Sequence, residues 1–251
     1  MISERDLAAD FQGFWADLLP LLTPAFVKVF NEAYMTPLID DLGKTVKPIP
    51  IGAEQRHDLV AELAFNIATL SRKHHLSVES VLQDGEMRHT ASETSFALLR
   101  QYQHVTSEGR AVTEGEWQEA RGLAEVYGVF LGQRGAAAVV EFSPVIPGAG
   151  FLGSCRADLS VDQTLFEVKT VNRNIAGKDI RQVILYLALQ AASGDRRWVS
   201  AGFLNPRRAT WYEFSVDHLM HRTSGGRVTS EVFQEIIDFL SSREGEVDIA
   251  F

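Results

Sequence analysis

Apolar residues recur at helical spacing through most of the first hundred positions, which predicts a helical N-terminal region. The stretch ISERDLAADFQGFWADLL opens with Ser3 and Asp6, a pair that resembles a capping box. Pro20 and Pro24 are expected to end this helix. A second helix is predicted over EQRHDLVAELAFNIATLSRKHH, after the proline-rich connector KTVKPIPIG, and a third over residues 92–106.

The pattern changes near Thr113, where short apolar runs begin to alternate with helices. Thr113 and Glu116 form a capping box that starts one helix, and another is expected at about 178–192. Strands are predicted over AAAVVEFSP, CRADLSV, TLFEVKT, RWVSAGFL and ATWYEFSV, and a last helix over TSEVFQEIIDFLSS. This order predicts an α/β or α+β fold with helices on the faces of a sheet. We expect a helical region over 1–110, which docks a partner or gates substrate, and a core over 111–251.

The segment CRADLSVDQTLFEVKT predicts a hairpin whose polar face carries the candidate chemistry. Side chains alternate between the two faces of a strand. Alternation therefore assigns one apolar face to Ala157, Leu159 and Val161. A two-residue turn at Asp162–Gln163 would pair Leu159 with Phe166. The same register places Asp158 opposite Glu167.

Two carboxylates that face each other across a hairpin need a cation, because like charges there are destabilising. Mg²⁺ prefers oxygen ligands and takes one or two protein carboxylates, with water and substrate phosphate in its other positions. Lys169 follows Glu167 on the same face of the strand. Its ammonium could orient or deprotonate an attacking water and offset charge in the transition state.

A polar pair on the following helix extends this pattern. Gln182 and Tyr186 are four residues apart and share a helix face. The residues around them are mostly apolar, so Gln182 needs a polar partner, either a protein group or a nucleic-acid phosphate. The basic residues that follow could also meet phosphate, because residues 169–227 hold 10 basic and only 4 acidic side chains. Arg207 and Arg208, in one loop of that stretch, are candidate phosphate contacts, with plain surface arginines as the alternative.

Asp158 followed by Glu167-Val168-Lys169 on adjacent strands resembles the PD-(D/E)XK nuclease superfamily. Gln182 and Tyr186 match the Q-x-x-x-Y motif of its RecB-like branch, and the similarity covers roughly residues 113–217. The resemblance implies a three-layer, restriction-endonuclease-like core around a mixed sheet.

The resemblance also implies a metal-dependent nuclease that hydrolyses DNA. Asp158, Glu167 and the carbonyl of Val168 would bind Mg²⁺, with Mn²⁺ able to substitute, and Lys169 would be the catalytic lysine. Gln182, Tyr186 and Arg181 would bind substrate. A role in phage defence, a mobile element or DNA repair would be expected.

Family members usually carry a further acidic residue on the helix before the sheet. Glu116, Glu119 and Glu125 compete for this position. Glu125 lies nearly opposite the buried side of the helix, and Glu116 is used by the capping box. We assign Glu119 as the additional metal ligand, with a surface ion pair as the open alternative.

Composition narrows the possible partners and location. Cys155 is the only cysteine, which excludes an internal disulfide, a cysteine zinc site and a cysteine-held iron–sulfur cluster. The net charge of −9 argues against a general nucleic-acid coat protein. No apolar run is long enough to span a bilayer and the N-terminus does not resemble a signal peptide, so a cytoplasmic location and no membrane partner are expected.

Two functional alternatives to a DNA nuclease stay open. A non-catalytic subunit could keep the nuclease fold to bind nucleic acid or protein. An RNA-directed enzyme would use the same groups, because metal-assisted hydrolysis of either backbone needs the same chemistry. The chain has no G-x-x-x-x-G-K-[ST] phosphate loop, so a motor or sensor would be a separate protein partner.

Overall fold

The computed structural model describes residues 3–52, 55–103 and 111–242, with the side chains of 101–103 left aside. Helices and strands are numbered separately along the chain. The helices are α1 (Glu4–Asp10), α2 (Gln12–Leu18), α3 (Pro24–Val29), α4 (His57–His74), α5 (Val78–Gln83), α6 (Gly85–Gln103), α7 (Glu114–Gly132), α8 (Gly177–Ala192), α9 (Val216–Thr223) and α10 (Thr229–Ser241). The strands are β1 (Thr36–Pro37), β2 (Val140–Phe142), β3 (Val145–Ile146), β4 (Cys155–Arg156), β5 (Leu159–Val161), β6 (Thr164–Val168), β7 (Ser200–Asn205) and β8 (Thr210–Ser215). A π-helical turn, Phe30–Tyr34, continues α3.

Six strands form a mixed central sheet in the order β1-β8-β7-β6-β5-β2. Strands β6 and β7 are parallel because α8 connects them, and the other neighbours are antiparallel. Strands β3 and β4 pair separately as a small antiparallel ribbon.

Helices cover both faces of this sheet. One apolar cluster packs α1, α2, α8, α9 and α10 against the first face, and its sheet residues include Leu165 and Phe203. A second cluster packs α4, α5, α6 and α7 against the other face, where it meets Phe166 and Leu204. Neighbouring residues of β6 thus point to opposite layers, as strand alternation requires. The predicted α+β arrangement of a mixed sheet between helices is confirmed.

The N-terminal helices take part in both helical layers. Helix α1 packs against α8, and α4 packs against α7. Strand β1 adds to the sheet edge, where Thr36 pairs with Trp211. The predicted boundary between residues 110 and 111 adjoins 104–110, which lie outside the described residues.

The predicted helix caps are present in the structure, but two predicted features of the first helices differ. The predicted capping boxes of Ser3 with Asp6 and Thr113 with Glu116 are both present. The first predicted helix is wrong in its continuity, because Phe11 leaves helical geometry (φ −72°, ψ 60°) and separates α1 from α2. Pro24 starts α3 instead of ending a helix, which suits a residue that lacks a backbone N–H. None of the helices in the described parts of the chain is long and apolar enough to cross a membrane.

Candidate active site

A cleft of about 360 Å³ lies where β6 ends, and the hairpin brings the predicted carboxylates and lysine into it. Its walls come from α1, α4 and α8, with smaller contributions from α6 and α7. Leu165 packs toward α8, so alternation turns Glu167 toward α8 as well. Asp158, Glu167, Val168 and Lys169 all line the cleft.

The hairpin has the predicted register and turn. Leu159 pairs with Phe166, and Asp162 adopts a positive φ of 51° in the two-residue turn. The predicted common face of Ala157, Leu159 and Val161 is wrong. Ala157 packs in the α8 layer, whereas Leu159 and Val161 pack in the α7 layer.

The reason is a break in the strand at Ala157 and Asp158, between β4 and β5. The backbone there is held by other segments, since Ala157 N–H donates to Pro144 O (3.1 Å) and Ser143 N–H donates to Asp158 O (2.8 Å). The break lets the side chain of Asp158 reach across the hairpin, where Oδ2 accepts a hydrogen bond from Val168 N–H (2.7 Å).

Glu167 is the most buried charged group of the cleft, with 1% of its surface exposed. Its Oε1 accepts a hydrogen bond from Lys169 Nζ at 2.7 Å. Its Oε2 is buried and has no hydrogen-bond partner among the described residues. A buried carboxylate oxygen without a donor is costly, so this atom is suited to a cation that the protein itself does not supply.

Lys169 is held by three groups from α8 and β6. Besides Glu167, its Nζ donates to Gln182 Oε1 (3.0 Å) and lies 3.6 Å from Asp179 Oδ1. Gln182 Nε2 in turn donates to Tyr186 Oη (2.8 Å). Tyr186 Oη lies 3.5 Å from Glu4 Oε1 on α1 and is oriented to donate to it. The ammonium therefore has a defined position at the cleft floor.

The ionisation of these groups follows from burial and mutual charge. Burial raises the pKa of Glu167 to about 7, and the neighbouring Asp158 carboxylate adds to the shift. Burial also raises the pKa of Asp158, against the opposing effects of Lys169 and the Val168 N–H. Burial lowers the pKa of Lys169, but the carboxylates around it have the larger combined effect and raise it. Lys169 is therefore an ammonium at neutral pH.

Asp179 completes the lysine environment and was not predicted. It is 2% exposed, and it accepts hydrogen bonds from Ala176 N–H (2.8 Å) and Arg173 Nη1 (2.6 Å). Burial tends to raise its pKa, but the hydrogen bond from Arg173 and the charge of Lys169 lower it overall. Its position three residues after the N-cap of α8 was a local signal that could have identified it.

The assignment of Glu119 as a metal ligand is wrong. Glu119 Oε1 accepts from Arg207 Nη1 (2.5 Å), Oε2 accepts from Gly52 N–H (3.0 Å), and the residue does not line the cleft. Arg207 is 1% exposed, so it is not a phosphate contact either. The two residues form a buried ion pair between α7 and the loop after β7.

The predicted substrate contacts of α8 lie in different places: Gln182 lines the cleft, whereas Tyr186 and Arg181 do not. Gln182 and Tyr186 are 3% and 1% exposed, and they contact Lys169 and each other, so they position the lysine. Arg181 donates to Gln12 Oε1 (3.0 Å) and lies over the Trp15 ring, outside the cleft. It connects α8 to α2.

Two residues from the N-terminal region join the cleft without a recognisable sequence signal. Arg5 lines it from α1; burial lowers its guanidinium pKa, but the charges of Asp158 and Glu167 raise it overall. Glu62 lines it from α4, and burial raises the pKa of its carboxyl group. A helix carboxylate therefore does reach the cleft, but it comes from α4 and not from α7.

The donor set fits a hard divalent cation. Among the described residues, no group of three or more His, Cys, Asp or Glu side chains is arranged to hold a metal ion. Mg²⁺ needs fewer, because water and substrate complete its shell. Asp158, Glu167 with its unpartnered Oε2, and the carbonyl of Val168 could serve as such ligands.

Comparison with protein-family models and with curated proteins found no match for this chain.

Proposed function

We propose that the protein is a metal-dependent nuclease that hydrolyses phosphodiester bonds of DNA in the cleft at the end of β6. The observation that carries the proposal is Glu167 Oε2, a buried acceptor without a partner in the described structure, beside a second carboxylate and a fixed ammonium. Most buried carboxylate oxygens are hydrogen-bonded, so an unpartnered one beside a second carboxylate supports a place for a cation. The resemblance to the PD-(D/E)XK superfamily supports the same chemistry.

Asp158, Glu167 and the Val168 carbonyl would hold Mg²⁺, which when bound supplies Lewis-acid polarisation of the phosphodiester and of the attacking water. Lys169 stays charged because of the carboxylates around it, which favours a role in orienting water and offsetting developing negative charge over a role as base. Gln182 keeps the ammonium in place from the buried side.

The reaction adds water across one P–O bond. The water oxygen bonds to phosphorus and loses a proton to solvent, and the bridging oxygen leaves with the electron pair and takes up a proton. Hydrogen bonds from Lys169 to Gln182 and from Gln182 to Tyr186 hold the ammonium from its buried side. Their contribution is to reduce the reorganisation needed when charge develops at the phosphate.

Cationic side chains at the cleft support a polyanionic substrate. Arg5, Arg156, Arg173 and Lys178 line it around the carboxylates. Such groups neutralise phosphates and position a strand without selecting its sequence. A separate motor or sensor protein remains part of the proposal, since the chain carries no phosphate loop of its own.

The test is cleavage of circular and linear, single- and double-stranded DNA, and of RNA, in Mg²⁺, Mn²⁺ or EDTA. Asp158→Ala and Lys169→Ala should each reduce metal-dependent cleavage by about 100-fold or more, through loss of a ligand or of the fixed ammonium. Asp41→Ala and Lys73→Ala, at exposed positions, are the matched controls and should cleave as wild type does.

Direct titration with Mn²⁺ separates the outcomes. If wild type binds Mn²⁺, Asp158→Ala does not, and no substrate is cut, the cleft is a metal site that awaits an activating partner. If neither protein binds Mn²⁺ and neither cuts, the nuclease proposal fails and a non-catalytic subunit becomes the better account. Preferential cutting of RNA would replace DNA as the substrate.

A further inference from the structure

A second and larger cavity, of about 920 Å³, lies at the other end of α8. The last turns of α8, the segment before β7, helix α9 and the first half of α10 line it. None of its lining residues lines the cleft at the end of β6. A ligand in this cavity would leave the proposed active site open.

The cavity has an apolar floor of a size suited to a flat organic molecule. The floor is formed mainly by Leu187, Ala188, Trp198, Phe233 and Ile237. Cavities that bind small molecules usually have volumes of about 300–1,000 Å³ and combine an apolar lining with a few polar groups.

One polar group of this lining lacks a partner. Gln190 is 6% exposed, and its Nε2 donates to Asp195 Oδ2 at 2.8 Å. Its Oε1 is buried and accepts no hydrogen bond from the described residues. Asp195 fixes the amide orientation, because the opposite orientation would bring two acceptors together. The amide oxygen therefore calls for a ligand that carries an N–H donor.

The N-terminus of α10 supplies an anion site at the same cavity. Gly225 and Gly226 adopt positive φ (79° and 94°) just before the helix, and no side chain caps it at Val228. The backbone N–H groups of Thr229 and Ser230 donate to no acceptor within the described residues. Free N–H groups and the helix dipole together favour a phosphate.

The cavity lining carries both basic and acidic side chains. Arg196, Arg227 and His221 line the cavity, and the side chains of Arg196 and His221 form no hydrogen bond or ion pair in the described structure. Two acidic residues, Asp195 and Asp217, also line the cavity and keep their charge: Asp195 accepts from Gln190 and lies 3.7 Å from Arg197 Nε, and Asp217 accepts from the Thr229 hydroxyl. Arg196 offers an anion a guanidinium that no carboxylate of the described residues engages.

We propose that this cavity binds a nucleoside phosphate. The phosphate lies at the N-terminus of α10, beside Ser230 and beside Arg227, whose guanidinium also pairs with Glu235. The base lies over the apolar floor and donates an N–H group to Gln190 Oε1. The site acts independently of the cleft, so the proposal does not depend on nuclease activity.

Isothermal titration of the full chain with purine and pyrimidine ribo- and deoxynucleoside mono- and triphosphates tests this proposal. At least one nucleotide should bind with a Kd of about 100 µM or below. The corresponding nucleoside and inorganic phosphate should each bind at least about 10-fold more weakly, because each lacks half of the recognised groups. A short 5′-phosphorylated oligonucleotide is then added to the complex of the protein with the bound nucleotide. If the oligonucleotide displaces the nucleotide, the cavity accepts the end of a strand; if it does not, the cavity takes a free nucleotide.

Two substitutions at one position isolate the backbone donor. Thr229→Pro removes the first N–H of α10 in a position where proline is favoured, and the extended geometry of Val228 (φ −78°, ψ 148°) suits a residue before proline. Thr229→Val removes only the hydroxyl group. We expect Thr229→Pro to weaken nucleotide binding about 10-fold relative to Thr229→Val.

Ala191→Trp fills the cavity from the half-buried face of α8 and should abolish binding. Asp158→Ala should bind nucleotide as wild type does, which separates this site from the nuclease proposal. The proposal is overturned if no nucleotide binds at about 1 mM, if Ala191→Trp binds normally while its unfolding midpoint is unchanged, or if an acidic peptide binds in place of every nucleotide.

Discussion

Replacing Glu167 with glutamine removes a buried carboxylate charge whose burial cost the surrounding groups do not fully offset. The folded protein has a Glu167 pKa of about 7, against an ordinary value of 4.5, because burial and Asp158 disfavour the carboxylate. The folded state therefore holds this proton more tightly than the unfolded state. The stability contributed by the group is complete below about pH 4.5 and is lost as the pH rises toward 7.

The magnitude follows from the shift. A rise from 4.5 to about 7, at about 1.4 kcal/mol per pKa unit, amounts to about 3 kcal/mol in total. About 2 kcal/mol of it falls between pH 5.5 and pH 8. No discount for solvent screening applies, because Glu167 is 1% exposed. Glutamine keeps an oxygen that can accept from Lys169, so the comparison changes mainly the charge.

Urea denaturation in EDTA at about pH 5.5 and about pH 8 measures this effect. Wild type should lose about 2 kcal/mol more stability between the two pH values than Glu167→Gln loses. Glu93→Gln, at an exposed position on α6, should follow wild type. If wild type and Glu167→Gln lose stability in parallel, to within about 0.5 kcal/mol, burial does not perturb this carboxyl group and the reasoning fails.

Two further substitutions test the roles that the structure assigns to Glu119 and Gln182. Glu119→Leu leaves Arg207 buried without its carboxylate and should lower the free energy of unfolding by about 3–5 kcal/mol, measured by urea denaturation. The control is Glu125→Leu, at an exposed position of the same helix, which should change the free energy of unfolding by no more than about 0.5 kcal/mol. Gln182→Met removes the buried acceptor of Lys169 and should slow metal-dependent cleavage about 10–100-fold while Mn²⁺ affinity is retained. Equal cleavage by Gln182→Met and wild type would show that the lysine needs no support from α8.

Features that depend on neighbours in the chain could be predicted from the sequence. The register of Leu159 with Phe166 follows from strand alternation and a two-residue turn. The caps at Ser3 and Thr113 follow from residues three positions apart. The grouping of Asp158, Glu167 and Lys169 was predicted because all three lie within one hairpin, and hairpin geometry is local.

Features that depend on distant packing could be decided only by the tertiary structure. The position of Glu119 on the flank of α7 could be predicted from the sequence. Its partner, Arg207, lies 88 positions away and contacts Glu119 only when the sheet and helices have packed. Arg5 and Glu62 line the cleft because α1 and α4 pack beside the hairpin of β5 and β6. No local sequence pattern predicts this packing. The sequence determined which groups could carry charge and which elements could form. The fold decided which charges meet, because a buried ion must find a partner in space and not in sequence.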